Sequence, residues 1–443
     1  MLTGQNGILN RATEAKEKNE KAGVEENIKL AVMSSLAQNA GNTNITKENL
    51  EKALNEQFGK EDQYELTDNG EGSYMVKINA NQLYYIDNYG KIINNDNITA
   101  INSVNELKLF RNNVNNGNDY EDRVIYLNNN IELDNGEEWI PIGNENNSFK
   151  GIFEGGSHTI SNIYINGTND YSGLFGMNSG TIKNLSVSGN INGRNYVGGI
   201  CGKNENGKVI NCKNFSEITS SGENAGGIVG RNNSTGIISE CSNNAKINGE
   251  QYVAGIAGVS NGGPIYNCAN KGQISGKKYI GGIAGFTSRT SVYRSYNVSD
   301  ISGDYQIGGI IGFSTITTNI ENCYNTGNVN GTNSGIGGIV GLSTDSTIIL
   351  KSYNYSSVQG IDAYGMITGR NDNVVSDCYY ISEINCDGYQ SENATYSAKR
   401  ITSGYGTSQD FVNELNKNQS DKVWILDENN INAGYPILSW QKQ

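Results

Sequence analysis

The sequence is short of histidine, proline, basic charge and long apolar runs, and each shortage excludes something. A single histidine, His158, rules out His-rich zinc sites and two-His motifs such as H-E-x-x-H, which need imidazoles in pairs. A Ser-His-Asp triad would have to use that one residue. Three prolines in 443 residues, beside 56 glycines, imply turns built by Gly and Asn rather than by Pro. No run of 18 apolar residues exists, so no stretch reads as a membrane-spanning helix. Basic residues are in deficit, 33 against 46 acidic ones, for a net charge of −13. That balance argues against nucleic acid or an anionic membrane as the main partner.

What the sequence does contain is one pattern written eight times. Its core is Gly-Gly-Ile-x-Gly, clearest at 198–202, 226–230, 281–285, 308–312 and 337–341, with looser copies at 173–176, 254–258 and 365–369. The closing glycines, residues 176, 202, 230, 258, 285, 312, 341 and 369, recur every 26 to 29 residues, a solenoid period. About ten residues later comes a small or apolar column: Leu185, Cys212, Cys241, Cys268, Ser295, Cys323, Ser352 and Cys378. Three positions before it and six after it, from Ile182 and Ile191 to Val375 and Ile384, every residue is Ile or Val. β-Branched residues suit a pleated, half-buried surface, and apolar runs this short do not make helices. Each repeat reads as short strands joined by tight turns, a rung that buries its apolar face only by stacking on the next. The fold class expected is mainly β, a right-handed parallel β-helix of about 27-residue rungs.

Five of the seven cysteines occupy one repeat column. In-register side chains are poorly aimed for the S–S torsion, and Leu and Ser replace Cys there, so these read as small buried space-fillers rather than a redox set. Asn214, Asn243, Asn270, Asn297, Asn325 and Asn354, two residues further on, suggest amides bonded along the stacking axis.

Ahead of the repeats, residues 5 to about 38 read as one helix ended by Gly41-Asn42, and Lys47 to Phe58 as a second with Thr46 as N-cap and Gly59 as its close. Gln63–Leu66, Ser73–Ile78 and Leu83–Ile86 read as a meander with a turn at Asp68-Asn69-Gly70. Ser103 caps a further helix bearing Leu107, Phe110 and Val114. Four segments follow: 1–95, a small α+β domain; 96–160, an N-terminal cap and first rungs; 161–387, the eight repeats; and 388–443, a C-terminal cap carrying Phe411, Val412, Leu415, Trp424, Ile425, Tyr435, Leu438 and Trp440.

Two resemblances carry further. Leu2-Thr3-Gly4-Gln5-Asn6-Gly7-Ile8-Leu9, Ala12-Thr13-Glu14-Ala15-Lys16-Glu17-Lys18 and Ile28-Lys29-Leu30-Ala31-Val32 resemble type IV pilin-like proteins of clostridial and related Gram-positive bacteria, over residues 2–93. In that family the matching stretch directly follows a hydrophobic prepilin segment, which this sequence lacks. The resemblance implies an ectodomain whose membrane and filament anchor lies upstream, with other pilin subunits as partners through the N-terminal helix. The Gly-Gly-Ile-x-Gly repeats, the lead-in Gly151-Ile152-Phe153-Glu154-Gly155-Gly156-Ser157-His158-Thr159-Ile160 and the tail Gly434-Tyr435-Pro436-Ile437-Leu438-Ser439-Trp440 look like the GLUG-motif β-helix family of bacterial surface proteins, over residues 100–443. That resemblance implies an extracellular or cell-surface location and, often, adhesion. Some members are joined to a metallopeptidase, whose zinc-binding helix is absent from this sequence.

Catalysis on such a fold needs carboxylates converging on one face. The acids of the repeats, among them Glu205, Glu240, Glu250, Asp300, Asp304, Glu321, Asp345, Asp372 and Asp377, show no recurring D-x-D or E-x-D pair and read as solvated turn charges. His158 reads as part of the lead-in packing, and Asp68 to Gly72 as a hairpin turn rather than a calcium loop. No catalytic residue, metal ligand or cofactor is assigned. One column changes character: Ser186, Lys213, Ser242 and Ala269 give way to Tyr296, Tyr324, Tyr353 and Tyr379. With Cys and Asn pointing inward, the residue between them points outward, and four tyrosines form an exposed strip suited to recognition. The alternative is that they merely shield the ladder.

The function expected is therefore non-enzymatic: a pilus-associated surface protein displaying a rigid β-helix to a host or environmental glycan or protein. Two alternatives stand beside it, a polysaccharide-active lyase or hydrolase on the same scaffold and a purely structural filament subunit.

Overall fold

In the computed structural model, which describes residues 3–38, 44–59, 63–70, 72–78, 82–344, 346–371, 374–381 and 396–442, the chain divides into two units. Residues Met1–Ile101 and Asp122–Leu127 make the first, Asn102–Glu121 and Asn128–Gln443 the second. The helix stop at Gly41-Asn42, the column residue Ile384, Cys386, Asp345 and Asp372 lie outside the described residues.

In the first unit a helix runs Thr3–Gln38 and a second Lys47–Phe58. Thr46 Oγ1 accepts the Asn49 N–H at 3.3 Å, and Gly59 at φ 98° turns its N–H back to Asn55 O at 2.9 Å. Both ends of the second helix are thus satisfied by the residues expected to do so. Glu65–Asp68, Tyr74–Ile78, Gln82–Ile86 and the short Ile92–Ile93 form an antiparallel sheet. Asp68 Oδ1 holds the Gly70 N–H at 2.8 Å, which makes that stretch a hairpin turn. Ile28, Ala31 and Val32 meet Leu50, Leu54, Tyr74, Val76, Tyr84 and Ile86 in one core. Every side chain from Thr13 to Glu20 is exposed, and the residues of this helix that enter the core, Ile28, Ala31 and Val32, lie in its C-terminal half.

In the second unit Ser103 caps the helix Val104–Asn115, its Oγ accepting the Glu106 N–H at 3.3 Å. Phe110 on that helix lies 5.6 Å from the Phe149 ring and 5.9 Å from Phe153, edge-on to the first and tilted to the second. The helix covers apolar rings that the first rungs would otherwise leave without a neighbour.

The rungs stack in parallel and in register. Phe153, Ile182, Val209, Ile238, Ile265, Val292, Ile320, Ile349, Val375 and Tyr396 are successive partners, ten levels in all. Three strand faces run along the stack: an eight-stranded sheet beginning at Phe175–Asn178, a seven-stranded one beginning at Val197–Gly198, and the sheet holding the Cys and Asn columns. Ile182 through Val375, the Cys column and Ile191 through Val358 are all at most 5% exposed, each with its partner directly above and below. Burying such side chains is worth about 1.5–3 kcal/mol apiece, summed over neighbouring rungs. The parallel β-solenoid expected from the repeats is the observed fold.

Each glycine pair stands at the corner between the seven- and eight-stranded sheets. The asparagine amides run as a continuous chain beneath it: Asn214 to Asn243, then Asn270, Asn297, Asn325 and Asn354, with Nδ2 donating to the next Oδ1 at 2.7–2.9 Å. Cys212, Cys241, Cys268, Cys323 and Cys378 are buried free thiols, as is Cys201 in the opposite sheet. Their column does more than fill space. Cys241 Sγ donates to Ser239 O at 3.1 Å and accepts the Cys212 N–H at 3.4 Å, and Ser295 Oγ does the same to Tyr293 O and Cys268 N. Thiol and hydroxyl interchange there because each can both donate and accept.

Candidate functional site

The four tyrosines point out of the rungs, as expected, but they are not exposed. Tyr324 and Tyr353 are 0% exposed, Tyr379 1% and Tyr296 5%. The reason lies in the C-terminal segment. After one further strand, Tyr396–Ile401, the chain forms the helix Gln409–Leu415 and the strand pair Trp424–Ile425 with Ile437–Leu438. This segment lies along the flank of the last rungs. Phe411, Trp424, Tyr435 and Leu438 share one buried cluster with the four tyrosines, and Trp440 packs on it. The rings of Tyr296, Tyr324 and Tyr353 stack at 4.9 and 5.2 Å, nearly parallel. Tyr353 Oη donates to Pro436 O at 2.5 Å and accepts from Asn432 Nδ2 at 2.7 Å. Trp440 Nε1 donates to Arg294 O and Trp424 Nε1 to Asn322 Oδ1, each at 2.9 Å. Burial raises the phenol pKa of all four, Tyr296 to about 12. The change from Ser, Lys and Ala to Tyr marks where this cover begins, and the strip read as a recognition surface is an internal seam.

The open site lies at the edge of that cover. A cleft of about 400 Å³ is bounded on one side by outward side chains of three rungs and on the other by residues 418–421. Its rung side comes from two columns, of which the sequence reading took the first, with its mixed Asn, Arg, Lys and acids, for solvated turn charge and placed Glu321 in it. The first is the residue just before the Cys column: Asn184, Asn211, Glu240, Asn267, Arg294, Asn322, Lys351 and Asp377, every one in the left-handed region at φ 45–56°. Such a corner aims the side chain away from the rung, and asparagine tolerates it best. Arg294, Asn322 and Lys351 from this column face the cleft. The second column lies one residue earlier, where Tyr266, Tyr293 and Glu321 are successive partners.

Tyr266 and Tyr293 stack at 5.1 Å with rings 5° apart. The stack ends there, because the next level carries Glu321, and among the described residues no ring pairs with the other face of Tyr293. Tyr293 and Glu321 both line the cleft. Asn322 and Gln419 exchange two side-chain hydrogen bonds at 3.0 and 3.1 Å, fixing the C-terminal wall to the rung. Arg294 Nη2 lies 3.3 Å from Asp421 Oδ2. Neither the Glu321 carboxylate nor the Lys351 ammonium has an ion-pair partner among the described residues. The cleft thus offers an aromatic face, a fixed amide pair and hydrogen-bonding groups of both signs, the composition of a small-ligand site. Tyr266 and Tyr293 were detectable in the sequence as a repeated aromatic two residues before the Cys column. The role of residues 418–421 was not, since they lie about a hundred positions away.

Elsewhere the expected surface roles hold. Asp300 Oδ1 accepts from the Asn328 side chain at 3.0 Å, Asp304 from Thr332 at 2.8 Å, and Glu250 pairs with Lys277 at the turns. His158 sits half-buried in the turn after Ser157, its N–H on Gly155 O at 2.9 Å. A second outward aromatic group, Tyr252, Tyr279, Phe286 and Phe313, closes its ring faces on itself at 4.8–5.8 Å.

A family described as the GLUG motif matches residues 193–219 and 303–330. No curated protein matches the chain. A crystal structure of a candidate immunoglobulin A1 protease from Bacteroides ovatus aligns at 17% identity over 77% of this chain and 92% of that one, with a TM-score of 0.44. The second unit is thus a parallel β-helix with a match to the GLUG motif in two of its stretches.

Proposed function

We propose that the protein is a non-enzymatic binding protein of the bacterial cell surface, in which the solenoid holds a ligand cleft at fixed geometry and the first unit is pilin-like. The observation that carries this reading is the cleft beside Tyr293. Its aromatic face and unpaired charges are held by a stack whose every level is bonded to the next, so little ordering entropy remains to oppose binding. Exposure of the first helix from Thr13 to Glu20 supports a helix available to other subunits. The non-enzymatic reading is supported by the acids of the repeats, which show no recurring D-x-D or E-x-D pair of the kind that hydrolysis of a glycoside needs.

The test is adhesion of the purified full chain to immobilised glycans and matrix glycoproteins, with Tyr293→Ala and Glu321→Arg as variants. Binding that both variants abolish supports the proposal, and binding that neither changes removes it. Release of reducing or unsaturated ends from a polysaccharide panel would establish the enzymatic alternative instead. A photo-crosslinker at Lys18 in the producing cell should capture a second subunit if the helix is pilin-like, and monomer alone would refute that part.

A further inference from the structure

We infer that the cleft beside Tyr293 takes the ring of a neutral hexopyranoside, the C–H face of the sugar lying against the Tyr293 ring; this rests on the binding function proposed above. Three features of the cleft combine to select that class.

The first is the terminated stack. Tyr266 backs Tyr293 at 5.1 Å and holds it flat, and the next level continues the column with Glu321 rather than a ring, so Tyr293 lines the cleft with a carboxylate beside it. A flat apolar face with a polar rim recognises a partner that is apolar on one side and polar at its edge. A pyranose ring has that form: axial C–H bonds on one face and hydroxyls around the circumference.

The second is the balance of charge. Arg294 and Lys351 face Glu321 and Asp421, two groups of each sign. With Arg294 and Asp421 paired to each other, a sugar carboxylate would gain Lys351 but meet Glu321, and a cationic ligand would meet the converse. The overall charge of −13 disfavours the approach of an anionic polysaccharide further. A hydroxyl both donates and accepts, so a neutral polyol satisfies both unpaired groups at once. Glu321 accepts from two adjacent hydroxyls while Lys351 donates to a third oxygen.

The third is size and fixity. A volume of about 400 Å³ falls at the small end of ligand sites, suited to a short saccharide rather than a protein loop. The Asn322–Gln419 bonds and the Arg294–Asp421 pair tie the far wall in place. The bound ring therefore displaces water from a formed site.

The experiment is titration of the full chain, by calorimetry and saturation-transfer NMR, with methyl glycosides of glucose, galactose, mannose and N-acetylglucosamine, alongside glucuronic and N-acetylneuraminic acids. At least one neutral glycoside should bind in preference to both acids. Tyr293→Ala should weaken it about five- to tenfold, the worth of one ring contact, while Tyr293→Phe keeps it within about twofold. Glu321→Gln should weaken it as well, and Phe215→Ala, exposed on another part of the surface, should not. Unchanged near-ultraviolet dichroism of each variant excludes misfolding as the cause. Preference for the acidic sugars overturns the neutral assignment. Silence across the panel, with adhesion still abolished by Tyr293→Ala, overturns the sugar class but leaves the cleft as a binding site. Silence with adhesion unaffected by Tyr293→Ala overturns the binding function itself.

Discussion

Gly282 lies flat against the side chain of Asn297, so closely that a Cβ on the glycine would sit 2.6 Å from the asparagine Cβ. The same approach joins Gly199 to Asn214, Gly227 to Asn243, Gly255 to Asn270, Gly309 to Asn325 and Gly338 to Asn354. In these six repeats the second glycine is therefore required by the asparagine ladder behind it and, at Gly282, also by the Gly309 carbonyl of the next rung, which lies closer still to the added Cβ. Gly282→Ala should cost about 2–3 kcal/mol through overpacking. Gly404→Ala, with nothing within 4 Å of the added methyl, serves as the neutral control. Denaturant midpoints at unchanged slope measure both, and equal midpoints would refute the packing argument.

The ladder makes a graded prediction. Asn270 accepts from Asn243 and donates to Asn297, whereas Asn214 takes part in one ladder bond only. Asn270→Ala removes a ladder bond from the buried amide on each side and should cost about 2–3 kcal/mol, with Asn214→Ala about half that. The comparison is made by equilibrium unfolding, and equal losses would mean that the ladder contributes no more than packing.

The parts of this fold that were legible in the sequence are those where the same physical demand recurs at every level. Ile or Val at sixteen flanking positions and glycine at every corner identify the rung, because each must fit the copy above and below. A second ladder, Asn178 to Asn204 to Asn232 to Ser260, was hidden because the later rungs meet the same need with Ser and Thr. The tyrosine column was visible but its meaning was reversed. Alternation along a strand shows that Tyr324 points out of the rung, and only the path of residues 403–442 shows that it points into Trp424. The cleft was beyond reach for the same reason: Glu321 and Asp421 come to line one cleft through a lateral packing with no period to betray it.

The buried thiols should be inert. Desolvation drives the Cys212 and Cys241 thiols well above their ordinary value and raises Cys323 and Cys378 to about 12. Thiolate is the reactive form, and all six described cysteines are buried out of a reagent's reach, so at pH 8 they should give no reaction with an aromatic disulfide reagent until the chain unfolds. More than one equivalent released from native protein, allowing one for Cys386, would show that rungs open locally.

Alkali should release the C-terminal segment before it melts the solenoid. An unfolded tyrosine loses its proton near pH 10, whereas burial raises Tyr296 to about 12 and Tyr324 and Tyr353 well above 10. The folded form holds those protons more tightly, so the stability they contribute is complete below about pH 10 and is lost as pH climbs towards the folded values. The phenols lie between the rungs and their cover, and relief comes from lifting the cover. Trp424 and Trp440 sit in that cover, beside Tyr324, Tyr353 and Tyr296. Their fluorescence should therefore shift between about pH 10 and 12 while the far-ultraviolet β signal persists. Tyr353→Phe removes one of these protons and also two hydrogen bonds, to Pro436 O and from Asn432 Nδ2. The variant should be less stable by about 1–3 kcal/mol at neutral pH, yet its stability should fall less steeply with pH. Coincident loss of fluorescence and β signal, or an unchanged slope in the variant, would show that the seam does not titrate as a separate unit.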